Sequence, residues 1–132
     1  MQLEFMEKAS GDAPVMLLAP TGSGKTLAYL IPLVQHLEAS TADATALIII
    51  PSRELALQIT EVFKSLKTNF HACVCYGGHS MRTEENRLME KPKVILGTPG
   101  RLSEHAQKGN LTDLNISLVI LDEFDKSLQF GF

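Results

Sequence analysis

Five short apolar runs, at residues 15–19, 46–50, 72–76, 94–97 and 118–121, set the strongest limit on what this chain can fold into. Pro, Gly or an acidic side chain closes each run. Continuous rather than alternating apolarity predicts strands buried on both faces, as in a parallel sheet. Helix-like stretches fill the gaps. Residues 25–38 follow the first run, and residues 53–67 place Leu55, Ile59, Val62, Phe63 and Leu66 on one stripe. Ser52 is a suitable N-cap for that helix and Glu54 suits its first turn. Residues 81–90 are polar and charged, which predicts an exposed helix, and a short helix at 101–107 ends near Gly109. Strands alternating with helices predict an α/β doubly wound sheet, mainly parallel, whose ligands bind at the carboxyl ends of the strands.

Functional residues are therefore expected just after each apolar run. The first run is followed by Ala19-Pro20-Thr21-Gly22-Ser23-Gly24-Lys25-Thr26 and then a helix. Glycines at these positions let the backbone curl so that its N–H groups converge on phosphate oxygens, and the helix start adds partial positive charge. Lys25 is placed to reach the β- and γ-phosphates, and the Thr26 hydroxyl to bind Mg²⁺. The usual pattern opens with Gly, where this chain has Ala19. The last run is followed by Asp122-Glu123-Phe124-Asp125. A carboxylate at the tip of a buried strand suits a metal ion, so Asp122 is the candidate Mg²⁺ ligand and Glu123 the candidate general base for water. ATP with Mg²⁺ is the expected cofactor pair.

Composition narrows the partners. The chain has 132 residues, enough for one domain, and no apolar run approaches the roughly 20 residues of a membrane-spanning helix. Its N-terminus lacks the layout of a signal peptide, so a cytoplasmic protein without membrane contact is expected. Cys73 and Cys75 sit two residues apart on a predicted strand, which predicts reduced core thiols. The four histidines, His36, His71, His79 and His105, show no ligand spacing and are expected on the surface or in loops. The net charge of −3 runs against a broadly basic nucleic-acid surface and leaves room only for a local one.

With the two phosphate-site motifs in place, the chain resembles the N-terminal RecA-like domain of DEAD-box ATP-dependent RNA helicases. Pro51-Ser52-Arg53-Glu54-Leu55-Ala56 is similar to motif Ia, Gly77-Gly78 to the double glycine, and Thr98-Pro99-Gly100-Arg101-Leu102 to motif Ib. Asp122 to Asp125 take the place of Asp-Glu-Ala-Asp, and residues 128–132 resemble the segment that follows it. The motifs occur in family order over nearly all of residues 1–132. The resemblance implies a three-layer RecA-like P-loop NTPase domain that couples ATP hydrolysis to local RNA unwinding. It implies that Gln2 recognises adenine and that Asp125 couples the domains. It also implies that Pro51, Arg53, Gly78, Thr98, Gly100 and Arg101 contact the RNA backbone without reading sequence. Other P-loop ATPases, such as DNA helicases or translocases, and a non-catalytic nucleotide-binding fragment remain alternatives.

Two departures qualify the resemblance. Phe124 stands where the family has alanine. The 132 residues stop before a Ser-Ala-Thr motif III and before a second RecA-like domain, the implied source of an arginine at the transition state. A sheet incomplete at its C-terminal side, and an isolated chain nearly inactive as an RNA-stimulated ATPase, are therefore expected.

Overall fold

The computed structural model describes residues 24–123. The expected strand at 15–19 therefore lies outside the described residues, as do Gln2, Ala19, Thr21, Gly22, Ser23, Phe124 and Asp125. The chain divides into two units, Met1–Ser40 and Thr41–Phe132.

In the first unit, α1 (Lys25–Ala39) starts directly after Gly24, one residue longer than the sequence predicts. Its buried residues, Ala28, Tyr29, Leu30, Leu33 and Leu37, recur at helical spacing. Ser40 ends the helix twice over: its N–H donates to the Leu37 carbonyl at 3.3 Å and its hydroxyl to the His36 carbonyl at 2.6 Å.

The second unit alternates β1 (Ala44–Ile49), α2 (Arg53–Ser65), β2 (Ala72–Cys75), α3 (Met81–Met89), β3 (Val94–Gly97), α4 (Pro99–Gln107) and β4 (Asn115–Leu121). The four strands form one parallel sheet in the order β2-β3-β1-β4. Ser52 caps α2 as expected, its side chain accepting from the Leu55 N–H at 3.3 Å. On one face, Leu47, Ile49, Cys73, Cys75 and Ile95 pack with Leu88 of α3 and Leu102 of α4, and Leu111, Leu114 and Ile116 extend this core. The buried residues of α2, Ala56, Ile59, Thr60 and Phe63, are outside that cluster. α2 packs against β2 and β3, so the sheet carries helices on both faces, the α/β layering that the alternation predicts.

Register decides where ligands can meet the sheet. Ile49 pairs with both Gly97 and Leu121, and Cys75 with Gly97, so all four strands end level. Backbone bonds carry the ladder one step further: Ile50 N–H to the Gly97 carbonyl, Thr98 N–H to that of Cys75, and Asp122 N–H to that of Ile49. The loops after β1, β2, β3 and β4 thus emerge along one rim.

Three expectations need correction. β4 is not buried on both faces. It is the edge of the described sheet, flanked only by β1, and its residues alternate, with Val119 53% and Leu121 49% exposed. A register shift between Thr45 and Ala46 sets these consecutive residues against Ile116 and Leu118. α3 is not simply an exposed helix, because Glu84 and Leu88, one turn apart, face inward and are buried. His105 is not a surface histidine; it is fully buried and hydrogen-bonded.

Candidate nucleotide and RNA-backbone sites

Gly24 holds φ 80, the left-handed region that glycine enters without steric penalty. It stands immediately before the first turn of α1, where Lys25 and Thr26 lie and no acidic residue is present. The Ala28 N–H closes that turn on the Gly24 carbonyl at 3.2 Å. A helix start with no acidic residue in its own first turn suits an anion.

In the second unit, Asp122 sits one residue past β4 and is buried, with its N–H anchored on the Ile49 carbonyl at 3.0 Å. Glu123 follows at φ 48, a left-handed conformation that is costly for a residue with a Cβ. The chain turns directly after Asp122, and two adjacent carboxylates at a strand end suit a hard cation.

The rim after β1, β2 and β3 is built around a single carboxylate that the sequence reading passed over. Glu84 of α3 is fully buried. Its Oε2 accepts from the Tyr76 N–H at 3.2 Å and from His79 Nδ1 at 2.8 Å. Its Oε1 accepts from Arg101 Nε at 2.9 Å and His105 Nε2 at 2.7 Å. A carboxylate has about four lone-pair sites, and here all four are used. The Asn110 side-chain amide donates to His105 Nδ1 at 3.0 Å, which assigns His105 the tautomer that donates from Nε2. Burial pushes the Glu84 carboxyl up, but the bonds from His105, His79, Arg101 and the Tyr76 N–H outweigh it and hold the group below its ordinary 4.5.

Arg101 is tied down as firmly. Besides Glu84, its guanidinium bonds Glu104 Oε2 at 3.2 Å and the His79 carbonyl, and its side chain is 10% exposed. Burial works against its charge, and Glu84 with Glu104 more than restores it. Contacts continue outward: His79 stacks on Tyr76 with ring centres 5.0 Å apart, and Arg53 lies 5.2 Å over the Tyr76 ring. Arg53, Tyr76, His79, Glu84, Arg101 and His105 thereby link the loops after β1, β2 and β3.

Along this rim, Gly78 is exposed at φ 87, and a methyl group there would lie 3.7 Å from Arg53 Nη1. Thr98 is the N-cap of α4, yet its hydroxyl makes no capping bond. Gly100 is exposed in the first turn of α4, with open space where a Cβ would point. Pro51 is half-buried at the end of the β1 loop. Gly97 is different in kind: a Cβ there would meet Leu102 Cγ at 2.6 Å and the Cys75 carbonyl at 3.0 Å, so its bareness lets α4 close on the sheet.

Cys75, Glu84 and His105 also bring potential metal ligands within 4.8 Å of one another, a proximity hidden by their separation in sequence. Every Glu84 lone pair already receives an N–H donor, one of them cationic, so the trio is a satisfied hydrogen-bonded core. Cys73 and Cys75 are free, buried thiols with sulfurs 3.8 Å apart, as the sequence suggests. Hydrogen bonding to Cys73 and burial push the Cys75 thiol up, which keeps it protonated and unreactive.

Residues 1–132 match the family model described as DEAD/DEAH box helicase. The chain belongs to that family. It is 36% identical over 121 residues to the ATP-dependent RNA helicase DeaD of Buchnera aphidicola subsp. Schizaphis graminum, covering 89% of this chain and 20% of that protein. It is 34% identical over 134 residues to the ATP-dependent rRNA helicase RRP3 of Encephalitozoon cuniculi, covering 100% of this chain and 34% of the relative. The chain thus spans only a minor part of the curated relatives it matches. Among solved structures, the yeast DEAD-box splicing factor Prp28 superposes with a TM-score of 0.76 at 32% identity, over 87% of this chain and 29% of that one. A hypothetical ATP-dependent RNA helicase from Sulfolobus tokodaii gives 0.75 at 26% identity, over 98% of this chain and 44% of that one. The helicase family and its RecA-like α/β fold agree with the order of motifs in the sequence. No helix among the described residues is long and apolar enough to cross a membrane.

Proposed function

We propose that the chain is the nucleotide-binding part of an ATP-dependent RNA helicase, coupling ATP hydrolysis to local RNA unwinding. One observation carries the RNA half: Gly78, the Thr98 hydroxyl and the open start of α4 at Gly100 lie on loops that leave level strand ends along one rim. Backbone N–H groups and a hydroxyl in that arrangement suit successive phosphates and carry no sequence information. Arg53 adds positive charge at the same rim, which reconciles RNA binding with a net charge of −3. Affinity should therefore fall as salt rises.

For the nucleotide half, the left-handed Gly24 before a helix start and the buried Asp122 at a strand end fit Mg-ATP chemically. Ala19, Thr21, Gly22, Ser23 and Gly24 wrap the phosphates, Lys25 neutralises the β- and γ-oxygens, and Gln2 reads adenine. Thr26 and Asp122 would hold Mg²⁺, which when bound supplies positive charge against the phosphate oxygens. Glu123 orients the attacking water and takes its proton on the carboxylate. Asp125 relays the nucleotide state to a second RecA-like domain of the parent protein, the source of the arginine at the transition state. Without that domain, residues 1–132 hydrolyse ATP hardly at all.

Titration of the chain with Mg-ADP by calorimetry tests the nucleotide site, with Lys25→Ala as the control. Binding that the variant loses supports the reading; no binding in a chain that circular dichroism shows to be folded rejects it for this chain. A longer protein whose ATPase responds to DNA and not RNA would replace the RNA assignment with a DNA translocase.

A further inference from the structure

We propose that Glu84 is a positioning residue for the RNA-backbone rim, and that Arg101 acts as the strut of this arrangement rather than as a phosphate ligand. The inference rests on the RNA reading above and goes further by naming what holds the rim in shape. The two glycines that bring the backbone to the rim, Gly78 and Gly100, sit on separate segments, one after β2 and one after β3. Glycines do not fix a loop by themselves, since they add conformational freedom that must be lost on binding.

A single carboxylate restrains both segments. Oε2 of Glu84 grips the residues on either side of the double glycine, the Tyr76 N–H and the His79 ring. Oε1 grips α4 through Arg101 and His105. Arg101 closes the circuit by donating to the His79 carbonyl, directly bridging α4 to the glycine loop. The guanidinium therefore has all three of its nitrogens engaged inside the protein, at 10% side-chain exposure. Moving outward to meet a phosphate would draw it away from a fully buried carboxylate, and stranding a buried charge is strongly unfavourable. Arg53 is more exposed and, among the described residues, rests on the Tyr76 ring with no buried carboxylate to abandon.

The chemistry predicts which substitutions preserve the lock. Glu84→Gln keeps the shape but turns one acceptor into a donor facing donors. His79→Ala removes one grip while leaving the Glu84 pair with Arg101 intact. His79→Asn restores an N–H donor close to the position of Nδ1. Arg101→Ala removes the strut.

The test is fluorescence anisotropy of the chain with a fluorescein-labelled single-stranded oligouridylate over a series of salt concentrations. Circular dichroism verifies that each variant is folded at the temperature used. Glu84→Gln and Arg101→Ala are each expected to weaken binding about tenfold or more, with the slope of log affinity against log salt unchanged. The double variant should bind no more weakly than the weaker single one, because both changes break the same lock. Should Glu84→Gln fail to fold, the His79 pair decides: binding weakened in His79→Ala and recovered in His79→Asn supports positioning, and equal binding in both overturns it. A salt slope reduced by about one in Arg101→Ala would make Arg101 a phosphate ligand and overturn its role as strut. Wild-type affinity in folded Glu84→Gln would remove the positioning role and leave the RNA reading standing. A wild-type chain that does not bind the oligonucleotide would remove both.

Discussion

The two ends of the sheet rim are built on different principles. After β1, β2 and β3, side chains tie three loops together through the buried Glu84, so the shape of the rim depends on contacts among the loops themselves. After β4, Asp122 hangs from β1 through a backbone bond to Ile49, on a strand whose outer residues Val119 and Leu121 are about half exposed. The contrast follows the chemistry proposed for each end. Backbone donors aimed at phosphates need their loops held in mutual register, because every misplaced donor loses a bond. At the β4 end the strand itself delivers a carboxylate to the rim, the oxygen ligand that a hard cation prefers.

If this contrast is right, damage to the hub should far exceed damage to the edge. Glu84→Ala should cost about 3–5 kcal/mol, because it leaves the Arg101 charge poorly compensated in a site of low exposure. Thermal unfolding by circular dichroism measures it, and a loss below about 1 kcal/mol, the range of exposed ion pairs, would erase the distinction. Gly97→Ala should be next, at about 1–3 kcal/mol, since the new methyl would overlap Leu102.

A smaller effect is expected from acid. The Glu84 carboxyl is held below 4.5 in the fold, so the folded state takes up a proton there less readily than the unfolded chain. Its stabilisation is complete above 4.5 and drains away as pH falls through the lower folded value. The gap in thermal midpoint between wild type and Glu84→Gln should therefore narrow as pH drops below 4.5, and a constant gap would show that the carboxylate charge is not what stabilises the hub. Val119→Thr, on the exposed side of β4, should change stability by less than about 0.5 kcal/mol. A larger loss would mean that the edge is better packed than its exposure indicates.

Much of the framework was legible because local physics decides it. The runs at 46–50, 72–76 and 94–97 became β1, β2 and β3 because uninterrupted apolar residues have no other way to hide both faces. Ser52 capped α2 because a hydroxyl before a helix satisfies an orphan N–H wherever the helix later packs. The hub was not legible for the opposite reason. Glu84 lies in the most polar helix and His105 follows a turn motif, so nothing within a few residues of either marks it as buried. They meet only after α3 and α4 have settled on the same face of the sheet, with Leu88 and Leu102 beneath them. β4 misled for a related reason: the composition of a strand reports how apolar it is, while its neighbours decide how much of it is covered. Arg101, read from its motif as a phosphate contact, has most of its hydrogen-bonding capacity engaged by residues that the motif does not include.

The strand order has a consequence for how the chain is made. β1 has only β3 and β4 as hydrogen-bonding neighbours, and both come later in the sequence than β2. Every pairing among the described strands is parallel, so none of these can form by a local hairpin, and folding dominated by such distant pairings is slow. A chain emerging from the ribosome with its N-terminus first therefore carries Ala44–Ile49, all six residues buried in the finished fold, without a partner strand until Val94–Gly97 has been synthesised. In that interval β1 is open to capture by another sticky chain and is a natural client for a chaperone.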